Sequence, residues 1–178
     1  QRMSGIATIT NNLNNKIKSY DSILLDTRKT TPNFRYPEKW AVKIGGGNNH
    51  RMGLFDAIMI KDNHIDYSRN IEDVLNKTEA YIKKMNTKKK LVVIEVRDVN
   101  EINKVLGFRW VDRILLDNMN ISELKSAVKI INSRFKTEAS GNINEFNIVD
   151  VAKTGVDYIS IGALTHSSPH IDLSLKAQ

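Results

Sequence analysis

Three short, nearly continuous apolar runs constrain this chain more than any other feature: Leu91-Val92-Val93-Ile94-Glu95-Val96, Arg113-Ile114-Leu115-Leu116-Asp117 and Tyr158-Ile159-Ser160-Ile161-Gly162. A strand with one wet face alternates apolar and polar residues, whereas runs this continuous and rich in β-branched residues read as strands buried on both faces. That pattern calls for a parallel sheet covered by helices. Helical spacing fills the intervals, with Ile71, Val74, Leu75, Ile82 and Met85, then Ile102, Val105 and Leu106, then Leu124, Val128 and Ile131, then Phe146, Val149, Val151 and Ala152. Ser122 and Asn144 are expected helix starts, and Gly107 and Gly155 expected stops. Strand, helix, strand, repeated about six times with right-handed crossovers, predicts an α/β fold, either a barrel or an open doubly wound sheet.

With 178 residues, 40% hydrophobic and 26% charged, residues 1–178 are expected to form one domain with its own core. The formal charge of +7 favours an anionic partner, either a nucleic acid or a polyanionic metabolite. With no cysteine in the chain, disulfides and thiolate metal sites are excluded. Residues Gln1 to Thr8 lack the apolar core of a signal peptide, and no run approaches the roughly 18 apolar residues of a membrane span, so a cytoplasmic protein with no membrane partner is expected. The chain opens without Met, on residues that read as the interior of something longer, and a further N-terminal part is expected. Lys83-Lys84 and Lys88-Lys89-Lys90 read as a solvated helix end.

Polar residues recur where the strand-like runs end: Asp26-Thr27-Arg28-Lys29, Lys61, Glu95, Asp117, Glu138-Ala139-Ser140-Gly141 and Ser160-Ile161-Gly162. In α/β barrels that rim carries the chemistry and the opposite rim carries stability. Any one of these alone would read as a turn residue or cap; together they point to a site. Arg28, Lys29, His50, Arg51 and Lys61 would gather there as an anion site. His50-Arg51 suits a carboxylate through the arginine fork, or is a surface pair. Gly45-Gly46-Gly47 either cradles a phosphate or stops a helix ending at Val42-Lys43-Ile44. Glu95 and Asp117, set in or beside apolar strands, need cations or a metal ion. A hard Mg²⁺ with mostly water ligands would suit two carboxylates and a phosphorylated substrate. His64, His166 and His170 show no ligand spacing and receive no catalytic role.

Several stretches, in order, resemble nicotinate-nucleotide pyrophosphorylase, the quinolinate phosphoribosyltransferase family: Asp26-Thr27-Arg28-Lys29-Thr30-Thr31-Pro32, Gly45-Gly46-Gly47 with Asn49-His50-Arg51-Met52-Gly53-Leu54, Lys61-Asp62-Asn63-His64-Ile65, Leu115-Leu116-Asp117-Asn118, Glu138-Ala139-Ser140-Gly141 and Gly162-Ala163-Leu164-Thr165. The likeness runs from Ser4 to Lys176. It implies an incomplete TIM-like α/β barrel of about six parallel strands and a pentosyltransferase of NAD biosynthesis. Such an enzyme joins quinolinate to phosphoribosyl pyrophosphate, releasing pyrophosphate and carbon dioxide and giving nicotinate mononucleotide. The resemblance also implies Mg²⁺ dependence and a homodimer, or higher homo-oligomer, with a shared active site. Carried over, the quinolinate pocket falls on Arg28, Lys29, His50, Arg51 and Lys61, and catalysis on Lys61, Glu95 and Asp117. Glu95 and Asp117 would face ribose and metal, the metal through water. The phosphoribosyl pyrophosphate site would add Ser140, Gly141, Asn142, Ser160, Ile161 and Gly162.

The chain departs from the family's pattern in places. Asn142 stands where a second glycine is usual, with a side chain that tolerates a left-handed backbone. Asn33 replaces a glycine after Pro32. Val93 and Arg97 stand where acids are common. The family's N-terminal α/β sandwich domain, whose arginine from a neighbour completes the quinolinate pocket, is expected to be absent, which predicts weak or no turnover by this chain alone. Alternatives are a related phosphoribosyltransferase for another acid, such as nicotinate, or a catalytically incomplete fragment. A nucleic-acid-binding domain is disfavoured because only 7% of residues are aromatic and Trp40 and Trp110 lie in different units.

Overall fold

The computed structural model describes residues 1–85 and 90–178. Six strands, β1 (Ile23–Leu25), β2 (Ala57–Ile60), β3 (Leu91–Val96), β4 (Arg113–Asp117), β5 (Lys136–Ser140) and β6 (Tyr158–Ser160), form one parallel sheet in the order β1-β6-β5-β4-β3-β2. That is the cyclic order of a barrel with one seam left open, because β1 pairs with β6 and has no ladder to β2. A doubly wound sheet would instead reverse its order at a switch point. The incomplete barrel is therefore the architecture formed, and the open-sheet alternative is not.

Strand residues alternate between the two faces. Ile94, Val96, Ile114, Leu116, Ala139 and Ile159 belong to the core beneath the helices. The residues between them, Glu95, Arg113, Leu115, Asp117, Glu138, Tyr158 and Ser160, line cavities within the barrel. This explains why β3, β4 and β6 are legible as strands while β5, Lys136-Thr137-Glu138-Ala139-Ser140, carries no apolar run of its own.

Among the described residues eight helices cover the sheet: α1 (Arg2–Ile17), α2 (Arg35–Ile44), α3 (Asp62–Asp66), α4 (Ile71–Lys84), α5 (Val99–Val105), α6 (Ile121–Ile131), α7 (Ile148–Ala152) and α8 (Ala163–His166). Helix α1, which sequence periodicity did not reveal, buries Gly5, Ile6, Thr10, Leu13 and Ile17 against α2 and α7. The triple glycine permits that approach. It ends α2, and a β-carbon on Gly45 or Gly47 would run into Ala7 O or the Thr10 side chain. The helix-stop reading of Gly45-Gly46-Gly47 therefore holds and the phosphate-cradle reading does not, since none of the three lines the cleft described below.

Two expected helix starts shift. Asn120, not Ser122, caps α6: its Oδ1 accepts from Ser122 N and Glu123 N, both at 3.0 Å, and the Glu123 carboxylate accepts from Asn120 N at 2.8 Å. Reciprocal capping of this kind satisfies two otherwise orphaned amides. The cap position of α7 is Asn147, not Asn144, and Asn144 opens the turn before it, donating its N–H to Asn147 Oδ1 at 2.8 Å. Phe146, assigned to that helix's apolar face, is 86% exposed. Gly155 follows α7 with φ of 85° and Gly107 follows α5, as expected. Lys83 and Lys84 close α4, while Lys88 and Lys89 of the expected charge run lie outside the described residues.

Candidate active site

The loop that runs along the open seam supplies two of the site's residues. After α2 the chain returns along the free edge of β1, with Asn48 N donating to Leu24 O at 2.8 Å and Asp26 N to Asn48 O at 3.1 Å. This places His50 and Arg51 at the barrel mouth. A buried ion pair holds the loop. Asp26 Oδ1 accepts from Lys39 Nζ at 2.5 Å and from His50 N at 2.8 Å, Asp26 Oδ2 accepts from Asn49 Nδ2 at 2.6 Å, and Lys39 Nζ also reaches His50 O at 3.0 Å. Both side chains are essentially inaccessible, at 0% and 1% exposure. Burial pushes the Asp26 carboxyl up and the Lys39 amine down, each against the pull of the other's charge.

The loop after β1 is fixed as tightly. Thr31 N and Thr31 Oγ1 donate to the buried Glu38 carboxylate at 3.0 and 2.8 Å, and Thr165 Oγ1 donates to Lys29 O at 2.7 Å. Arg35 Nη2 donates to Arg28 O at 3.3 Å. Arg28 and Lys29 are thus presented by a braced backbone, and their cationic ends are left to the cleft they line.

That cleft, of about 600 Å³, is lined by all thirteen residues expected at the site: Arg28, Lys29, His50, Arg51, Lys61, Glu95, Asp117, Ser140, Gly141, Asn142, Ser160, Ile161 and Gly162. Lys61 Nζ donates to Glu95 Oε2 at 2.8 Å across the strand ends. Arg51 donates to Ala57 O at 3.4 Å, and burial, then the charge of Arg28, pushes its guanidinium below the ordinary arginine value. Asp117 Oδ2 accepts from Asn118 Nδ2 at 2.7 Å.

The turn after β5 is left-handed twice, with Gly141 at φ of 96° and Asn142 at 52°. A β-carbon on Gly141 would fall on Asn118 Oδ1. Asn142 takes the left-handed backbone expected of it and donates from Nδ2 to Asn118 Oδ1 at 3.1 Å. Asn33, after Pro32, is likewise left-handed, at φ of 60°. On the neighbouring turn Gly162 lets His166 and Lys29 close in, its missing β-carbon leaving 3.0 and 3.2 Å to those side chains.

Among the cleft residues outside the expected set are His166, Asn118 and Glu138. His166, given no catalytic role from the sequence, lines the cleft, with Nδ1 2.6 Å from Ser167 Oγ. Asn118 braces the turn after β5, donating its N–H to Ser140 O at 2.8 Å and accepting from Asn142 Nδ2. Glu138, quoted only as part of a motif, is wholly buried at the cleft floor, where its Oε2 accepts from Arg113 Nη1 at 2.8 Å and lies 3.3 Å from His50 Nε2. No spacing in the sequence could announce Glu138 and Arg113, because they meet only through the register of β4 and β5. His64 stays structural: its Nδ1 accepts from Lys61 N at 2.9 Å and caps α3. Among the described residues no three His, Cys, Asp or Glu side chains form a metal cluster.

Comparison with known proteins decides the family. Residues 6–176 match the family model described as quinolinate phosphoribosyl transferase, C-terminal domain. The chain belongs to that family. It is 45% identical over 190 residues to a Nicotiana tabacum protein named quinolinate phosphoribosyltransferase (decarboxylating) 1b, covering 99% of this chain and 53% of that one. A chloroplastic nicotinate-nucleotide pyrophosphorylase (carboxylating) from Arabidopsis thaliana is 44% identical over 190 residues, covering 99% and 54%. The solved nicotinate-nucleotide pyrophosphorylase of Francisella tularensis superposes with a TM-score of 0.91 at 44% identity, covering 100% of this chain and 61% of that one. As a member of the quinolinate phosphoribosyl transferase family, the chain spans about half the length of the curated relatives it matches. Among the described residues no helix is long and apolar enough to cross a membrane.

Proposed function

We propose that this cleft transfers the phosphoribosyl group of phosphoribosyl pyrophosphate to quinolinate with decarboxylation, giving nicotinate mononucleotide for NAD biosynthesis. One observation carries the reading: Arg28, Lys29, Arg51 and Lys61 face into the same 600 Å³ cleft as Glu95, Asp117 and the turns at Ser140–Asn142 and Ser160–Gly162. Quinolinate bears two carboxylates, and charge-assisted bonds from such a cluster hold it in one orientation. A monocarboxylate such as nicotinate would leave part of that charge unanswered.

The pyridine nitrogen would attack the anomeric carbon as the bond to pyrophosphate breaks. The ring, now cationic, accepts the electrons left when the adjacent carboxylate departs as carbon dioxide, and a proton takes its place. Lys61, tied to Glu95, is suited to orient the departing carboxylate and to answer the charge that develops beside it. Glu95 and Asp117 lie on the ribose side. The donor set suits Mg²⁺ held mainly by water and the substrate's diphosphate, with Glu95 and Asp117 reached through water, because Glu95 is already engaged by Lys61 and Mg²⁺ keeps several water ligands readily. When bound, the ion would neutralise the diphosphate. A homodimer with a shared active site, working in the cytoplasm, completes the proposal; the names of some relatives specify mitochondria or chloroplast.

The test is formation of nicotinate mononucleotide from quinolinate and phosphoribosyl pyrophosphate with Mg²⁺, each component omitted in turn. Product that depends on all three supports the reading. Equal use of nicotinate would move it to a related phosphoribosyltransferase.

A further inference from the structure

His50 sits among the cations of the cleft, yet both of its ring nitrogens are turned towards the protein. Nδ1 accepts the backbone N–H of Arg51 at 2.7 Å, so its lone pair is in use and it carries no proton. The ring's proton therefore belongs to Nε2, an assignment that follows from the partners. Nε2 lies 3.3 Å from Glu138 Oε2, and among the described residues neither Nε2 nor Glu138 Oε1 has a hydrogen-bond partner although both are buried. Glu138 is the acceptor that Nε2 faces, and an orphaned buried polar atom is costly. Arg113 anchors the carboxylate from below at 2.8 Å, its guanidinium stacked 3.7 Å over the Tyr158 ring.

Two further charged groups act on the His50 backbone. Asp26 accepts from His50 N, and Lys39 donates to His50 O. The main chain and ring are thus fixed from β1, α2, β4 and β5 together. The fixed ring in turn holds the Arg51 amide, two covalent bonds from the start of the Arg51 side chain.

We propose that His50 is a positioning residue, held by Glu138 and Arg113 as its Nε2–H tautomer so that Nδ1 orients Arg51. On this account the charge offered to the acid substrate comes from Arg28, Lys29, Arg51 and Lys61, with no imidazolium among them. The substrate part rests on the function proposed above; the tautomer does not.

Two measurements test it. The imidazole ¹⁵N shifts of the unliganded protein, with the His50 signal identified by its loss in His50→Asn, should show a proton on Nε2 and a bare Nδ1. A proton on Nδ1, or on both nitrogens, overturns the inference whatever the cleft binds. In quinolinate titrations His50→Ala should raise Kd about tenfold, the weight of one neutral hydrogen bond. His50→Asn, whose side-chain carbonyl can take the place of Nδ1, should recover most of that loss, and His50→Gln should not. Asn as damaging as Ala would show that the ring's charge, not its acceptor, matters. Glu138→Gln should leave the proton on Nε2, because the Arg51 N–H still occupies Nδ1 and the amide oxygen can still accept, and a proton on Nδ1 in that variant would overturn the assignment; if that variant does not fold, the Ala, Asn and Gln series at His50 decides alone. A parent protein that shows no quinolinate binding would refute the proposed function, and the ¹⁵N shifts would still decide the tautomer.

Discussion

Replacing Asp26 by Asn keeps the shape of the side chain and removes one charge of a pair buried at 0% and 1% exposure. Lys39 is then left either as an uncompensated buried ammonium or as a neutral amine. Breaking such a pair from one side costs about 3–5 kcal/mol. The neutral route sets a ceiling, because shedding a proton at pH 7 from an amine of ordinary pKa 10.5 costs about 4.8 kcal/mol, at 1.36 kcal/mol for each pH unit. At pH 9 the same ceiling falls to about 2 kcal/mol. Urea unfolding of Asp26→Asn against the parent should therefore show a deficit of about 3–5 kcal/mol at pH 7 that narrows clearly by pH 9. The loop carrying His50 and Arg51 depends on this pair, so quinolinate affinity should fall as well. A deficit under about 1 kcal/mol at pH 7, or one that does not change with pH, would refute the reasoning.

Lys61→Ala should lower turnover by about tenfold or more, since the ammonium opposite Glu95 is lost; steady-state rates within a few-fold of the parent would remove Lys61 from the chemistry. Gly141→Ala places a side chain at φ of 96° against Asn118. It should raise KM for phosphoribosyl pyrophosphate while leaving quinolinate Kd within about twofold, and cost about 1–3 kcal/mol of stability. Burial alone would raise the Asp157 carboxyl, but Lys136 and Thr137 outweigh it and hold the group below 3.8. A depressed carboxylate contributes stability above its unfolded value and loses it as pH falls through the folded one. In acid-unfolding curves Asp157→Asn should therefore be less stable than the parent at neutral pH, with the difference shrinking as pH drops below about 3.8.

The sequence was most readable where strands are buried on both faces. In β3 and β4 the outward residues Ile94, Val96, Ile114 and Leu116 are apolar, and the inward Leu115 keeps the run continuous. β5 was not readable in this way, because its inward positions are Glu138 and Ser140 and its first residue is the exposed Lys136. Helix α1 escaped notice because asparagines at 11, 12, 14 and 15 interrupt its apolar spacing, and its burial depends on two glycines of a different segment. The cleft residues were legible as motifs at strand ends. Their bracing was not: Lys39, Glu38 and Arg113 are charged residues whose partners lie 13, 36 and 25 positions away, so only the folded register makes them buried pairs rather than surface charges. His166 was passed over because it lacks ligand spacing, although Gly162, four residues earlier, makes room for it beside Lys29.

The most direct test of the central claim is calorimetric titration of the protein with quinolinate and, separately, nicotinate. The cation cluster at Arg28, Lys29, Arg51 and Lys61 predicts selective binding of the dicarboxylate, weakened at least tenfold by Arg51→Ala. Equal affinity for the two acids, or binding that survives Arg51→Ala unchanged, would contradict the assignment of this cleft.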